Sequence, residues 1–216
     1  MRRFLTIGLI AASATVLVGC TEPSPDPDPT ASAPTVVDDP TIVGETVSAS
    51  PLEADPWVVG ARTADLGYIL AVNNQDFSIE QFTSTRPESV AERQFTRWVE
   101  SNAGESPFVY PGPSVLLPIA VTEAPDGLSA EVEFCDASAL WLDEAAGEGT
   151  DEAAALADGR SAIFTMSKDD DGQILIEDRQ GSTTVCDATG APVGRFDPAP
   201  VAPDSVTEED VRGPLQ

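Results

Sequence analysis

The chain of 216 residues contains no histidine. That absence excludes Ser-His-Asp and Cys-His nucleophile arrangements and every imidazole-ligated metal centre. Lysine occurs once, at Lys168, and the other basic residues are arginines. Lys and Arg number 11 against 37 Asp and Glu, a formal net charge of −26. Such a surplus repels phosphate backbones, so nucleic acid is excluded as a partner, and it disfavours direct docking on anionic headgroups. Aromatic residues make up 6% of the chain, with only two tyrosines, Tyr68 and Tyr110. Apart from residues 4 to 18, no stretch approaches the ~20 apolar residues of a membrane span. No phosphate-cradling glycine loop is present, because GEGTDE lacks the third glycine, and neither GPSVL nor GRSAI makes a nucleophile elbow. No cofactor is implied. Cysteine is scarce too: there are three, which cannot all pair.

The first of them, Cys20, sits at the end of VLVGC. Arg2 and Arg3 form a charged start and Phe4 to Val18 an apolar run of the length of a signal h-region. The tetrapeptide Leu17-Val18-Gly19-Cys20 resembles the lipobox of bacterial lipoproteins at all four positions. The resemblance implies that residues 1–19 are a signal peptide and that Cys20 becomes an acylated N-terminus, bearing palmitate-type chains. Two or more acyl chains hold a protein stably where one does not. The expected location is therefore the extracytoplasmic face of the cell membrane, with the bilayer as a partner through Cys20. The fuller twin-arginine pattern is missing around Arg2-Arg3, which favours the general secretory route. The preference for arginine over lysine, with abundant Ala, Val and Asp, suggests a GC-rich, actinobacterial genome.

With Cys20 lipidated, Cys135 and Cys186 remain in an oxidising compartment, which favours one disulfide over two buried thiols or a reactive pair. Residues 20–51 are rich in Pro, Asp, Ser and Thr and read as a disordered stalk. Residues 198–216 are again acidic and Pro-rich and read as a disordered tail. Between them, 52–197 is long enough for a single domain.

Asp55-Pro56 offers an N-cap and an N1 proline, and Trp57, Ala61, Ala64, Tyr68 and Val72 follow on one helical stripe with Arg62 and Asp65 off it. The pattern predicts a helix ending near Asn73-Asn74. A second helix is predicted from Pro87 to about Ser101, with Gly104 past its end. Strands are predicted over 115–123, 128–142, 160–167, 173–179 and 182–187, with a turn at Pro125-Asp126-Gly127. A short helix with Thr150 as N-cap is predicted in the acidic insert DEAAGEGTDEAAALAD. Helices first and antiparallel strands after give an α+β class.

The helices DPWVVGARTADLGYILAVNN and ESVAERQFTRWVES, the intervening DFSIEQFTS, and the long strands carrying Cys135 and Cys186 resemble the SnoaL-like superfamily, the cone fold of nuclear transport factor two. The resemblance implies N-terminal helices packed on a curved, mainly antiparallel sheet around a central pocket. Relatives with enzymatic activity use a carboxylate base with a tyrosine or histidine; no position here matches a family motif, so no catalytic residue is assigned.

The candidate pocket-lining residues are Trp57, Tyr68, Trp98 and Glu133. Against each stands a plainer role: tryptophans at helical spacing are usually core, Tyr68 completes the apolar stripe, and Glu133 shares with Glu131 a strand face that water would solvate. The segment SKDDDGQILIED places Asp169, Asp171 and Asp178 at three positions of a calcium loop. Its flanks have strand chemistry where that loop needs helices, so a hairpin turn at Asp171-Gly172 is preferred and no metal is assigned. The functional expectation is a non-catalytic domain that binds an apolar small molecule or a surface protein. The alternatives are a small pocket enzyme of isomerase, cyclase or hydrolase type and a calcium-dependent surface module.

Overall fold

The structure, a computed structural model, describes residues 40–48, 50–145 and 151–214. The signal segment, Cys20 and most of the expected stalk lie outside the described residues. In chain order the elements are β1 (Thr41–Val43), α1 (Pro56–Asn74), α2 (Glu80–Thr83), α3 (Glu88–Asn102), β2 (Leu116–Glu123), β3 (Ser129–Asp136), α4 (Ala139–Ala145), α5 (Glu152–Ala157), β4 (Gly159–Lys168), β5 (Ile174–Cys186) and β6 (Arg195–Asp197). The class is α+β. An antiparallel sheet of order β2-β3-β4-β5 carries α1 on one face, and β1 and β6 form a separate antiparallel pair. Among the described residues no helix is long and apolar enough to cross a membrane.

Local chemistry sets the starts and stops. Asp55 caps α1, its carboxylate accepting from Trp57 N at 2.8 Å, and Pro56 occupies the first turn where its missing N–H costs nothing. Gln75 ends the helix in the left-handed region at φ 53°. The sheet side of α1 packs Trp57, Val58, Ala61 and Ala64 against Val132, Phe134, Phe164 and Met166. Further along, Ala71 and Val72 join Phe77, Phe82 and Trp98 in a second cluster. Helices α1 and α2 approach so closely that a Cβ on Gly67 would lie 2.0 Å from the Gln81 carbonyl oxygen. Cys135 and Cys186 form a disulfide, with Cα atoms 5.8 Å apart, tying β3 to the end of β5.

Five readings of the sequence are corrected. The strand expected over 128–142 stops at Asp136, whose carboxylate accepts from Ser138 N at 2.8 Å and turns the chain into α4, burying Leu140 and Trp141. The two strands expected at 173–179 and 182–187 are one long β5, because register shifts opposite Arg160 and Ala162 absorb the intervening residues without breaking pairing. Asp151, rather than Thr150, caps α5, accepting from Ala154 N at 3.2 Å. The stalk ends earlier than residue 51, since Thr41–Val43 pairs with β6.

The tail is not a disordered appendage over its described part, 198–214. Val206 and Val211 are buried in the Phe77–Trp98 cluster, Phe77 N donates to Arg212 O at 2.8 Å, and Arg212 pairs with Asp76 at 3.2 Å. Two apolar side chains five residues apart anchor a segment that composition alone marks as unfolded.

Candidate functional site

Between α1, α3, the loop through Tyr110 and strand β5 lies a cavity of about 480 Å³. That volume falls within the ~300–1,000 Å³ range of small-molecule sites. Helix α1 contributes Ala64, Asp65, Tyr68 and Val72; the segment from Arg86 through α3 contributes Arg93, Gln94, Arg97, Trp98 and two polar residues at its end; β5 contributes Ile176, Asp178 and Arg179. Four arginines therefore converge on one cavity in a chain whose acids outnumber its bases by 37 to 11.

The inner end is held by a charge triad. Arg179 donates from Nη1 to Asp65 Oδ1 at 2.7 Å and from Nη2 to Asp136 Oδ2 at 2.6 Å, with its guanidinium over the Phe164 ring. Asp65 is 5% exposed. Burial raises its pKa, and Arg179 and the Ser114 hydroxyl oppose that rise. Burial pulls Arg179 the other way, but Asp65 and Asp136 together hold its pKa above the ordinary arginine value.

Arg86 is 3% exposed and has no carboxylate of the described residues within salt-bridge distance; it donates to Ala64 O, Gln94 Oε1 and Thr85 Oγ1, and stacks on Phe82 with 3.7 Å between Cζ and the ring centroid. Its Nε is buried without a partner. Burial lowers its pKa to about 9, partly offset by Asp65.

Two phenols complete the inner wall. Asn73 clamps the Tyr110 backbone from both sides, Nδ2 donating to Tyr110 O at 2.9 Å and Oδ1 accepting from Tyr110 N at 2.8 Å. The ring is fixed edge-on against Phe108. Burial raises the pKa of Tyr68, and that of Tyr110 to about 12 with the Tyr68 charge adding to the effect. Both remain protonated donors at neutral pH.

At the mouth stand Arg93 and Arg97, both exposed. Arg93 Nη2 donates to Glu177 O at 3.2 Å, and Arg97 makes no hydrogen bond or ion pair to the described residues.

Of the candidates read from the sequence, Tyr68 and Trp98 line this cavity. Trp57 does not: it packs into the α1–sheet core under the Lys168 ammonium. Glu133 does not either, since on β3 it faces away from the core residues Val132 and Phe134 and accepts from Ser161 Oγ at 2.8 Å. Asp169 closes the hairpin turn, accepting from the backbone of Asp171 and Gln173, with Gly172 at φ 81°. Asp178 borders the cavity instead, and among the described residues no group of three or more acidic or thiol side chains is placed to hold a metal ion. Sequence reasoning set Asp65, three residues before Tyr68, off the apolar stripe without nominating it, and missed all four arginines. A signal existed: Arg93 and Arg97 are four apart on one helical face, with Arg86 just before the helix start, in a chain poor in basic residues.

No family model, no curated protein and no solved structure matches this chain.

Proposed function

We propose that this chain is an exported lipoprotein, anchored through acylated Cys20 on the extracytoplasmic face of the membrane, whose domain binds a small organic anion with an apolar or aromatic part. The observation that carries the reading is the cavity itself: arginines at its floor and mouth, with Tyr68, Trp98, Phe108 and Tyr110 between them. Guanidinium forks match carboxylate and phosphate oxygens, and flat aromatic walls remove apolar surface from water. A wholly apolar occupant would leave Arg93 and Arg97, which pair with no carboxylate of the described residues, without compensation, so the ligand is an anion. The order of helices before an antiparallel sheet with a cavity between them supports the SnoaL-like reading of the fold.

Two measurements test this. Cys20→Ser is expected to move the protein from the membrane fraction to the soluble extracytoplasmic fraction; retention in the membrane would defeat the anchor. Calorimetry with naphthalene carboxylate and its neutral carboxamide is expected to show binding of the acid alone, weakened by Arg97→Gln. Equal binding of both would defeat the anion site.

A second reading has its own observation. Asp65, buried with a raised pKa, shares the cavity with two protonated phenols, an arrangement that fits proton abstraction next to a carbonyl. Asp65→Asn that keeps ligand affinity while abolishing turnover of a carbonyl substrate would establish it.

A further inference from the structure

The four arginines are not equivalent, and the difference narrows the ligand class. Arg179 is already neutralised by Asp65 and Asp136, and Arg86 is buried with both Nη groups engaged on Ala64 O, Gln94 and Thr85 and only its Nε without a partner. Arg93 and Arg97 have no carboxylate of the described residues within salt-bridge distance, Arg93 donating one Nη2 bond to Glu177 O at 3.2 Å, and both stand exposed at the mouth. They lie one turn apart on α3, about 6 Å along its axis, so both side chains occupy the same face. Ser101, a further turn along, adds a hydroxyl to that row.

We infer, resting on the anion-site reading above, that Arg93 and Arg97 together bind the doubly charged head of a phosphate monoester, while the aromatic walls take its apolar body. A carboxylate has two oxygens and one charge, which a single guanidinium fork satisfies. Two guanidiniums within one helical turn, neither neutralised by a carboxylate of the described residues, are matched by a group with three terminal oxygens and nearly two charges, which a phosphate monoester is above its second pKa of about 6. The other charged and titratable groups around the cavity are Asp65 and Tyr68 on α1, Arg86, Tyr110, and Asp178 and Arg179 on β5, with Asp136 behind them on β3. None of these acids forms an ion pair with Arg93 or Arg97, so the charge of the α3 row is left to the ligand.

The size of the cavity admits the body of a small molecule, either of a soluble aryl or alkyl phosphate or of a lipid-derived phosphate. The test uses the full chain and two probes of one shape, naphthyl phosphate and naphthyl sulfate, the second a monoanion at every pH used. Near pH 7.5 the phosphate is expected to bind about tenfold more tightly than the sulfate, with the gap closing near pH 5 as the phosphate loses its second charge. Arg93→Gln and Arg97→Gln, both at exposed positions that leave the core untouched, are each expected to abolish the gap. Displacement of the probe by dodecyl phosphate but not glycerophosphate assigns a lipid-derived ligand, and the reverse assigns a soluble ester; both support the site. Equal affinities for phosphate and sulfate, still lowered by Arg97→Gln, would overturn the dianion assignment and leave the anion site standing. Binding of neither probe would overturn both.

Discussion

Burial decides the behaviour of individual side chains around the cavity. Tyr68 and Tyr110 are the only tyrosines in the chain, so absorbance at alkaline pH reports on them alone. Desolvation raises both, Tyr110 from 10.0 to about 12. Phenolate absorbance of the folded protein is therefore expected to appear well above pH 10, whereas the urea-unfolded chain titrates near 10. A raised phenol favours the fold fully below the unfolded value and loses that contribution as pH rises from 10 toward 12. Stability should fall over that interval, and Tyr110→Phe should flatten the fall.

Asp65 makes the second case. Arg179→Met leaves its carboxylate buried and unpaired, an expected cost of about 3 kcal/mol at neutral pH, the low end for a broken buried pair because Arg179 keeps 31% of its side-chain surface. Since burial already raises Asp65, its protonation on acidification relieves the charge, so the deficit should shrink as pH falls. Urea denaturation at two pH values checks it; a deficit independent of pH would place the loss in packing.

At the scale of elements, the strong local signals and the weak ones sort cleanly. The Asp55-Pro56 cap, the Pro125-Asp126-Gly127 turn and Gly104 at φ 84° after α3 all stand where their chemistry places them. Boundaries set by tertiary contacts were not readable: the turn into α4 depends on Ser138 Oγ accepting from Val115 N, a partner 23 residues away. The tail shows the same lesson in energetic form. Deleting residues 205–216 exposes the cluster that buries Val206 and Val211, an expected loss of about 3 kcal/mol at roughly 1.5 per valine. A lowered urea midpoint would register it; an unchanged midpoint would show the tail to be only laid on the surface.

For the molecule as a whole, the disulfide and the charge distribution matter most. Cys135 and Cys186 close a loop with a sequence separation of 51, so replacing both by alanine is expected to cost about 4 kcal/mol through the freed unfolded chain. Chemical denaturation of the double variant measures it. Net charge governs the far field and works against polyanionic partners, yet it says nothing about a cavity where arginines gather. The overall −26 and the basic cavity coexist because, among the described residues, only Asp65 and Asp76 of the acids are buried and the rest reach water, which screens them.

Composition, spacing and capping residues were sufficient for the α+β class, the long helices, the hairpin turn and the cysteine pair, because each follows from interactions within a few residues or from a simple count. Tyr68 and Trp98 could be nominated for a pocket but not distinguished from core, since the same helical stripe serves both. Asp65, placed on the polar side of α1 by its spacing, became buried because β5 delivers Arg179 from 114 residues away. The site is made of such long-range meetings. Only the packing of α3 and β5 against α1 decided which charges neutralise one another and which two arginines stand exposed at the cavity.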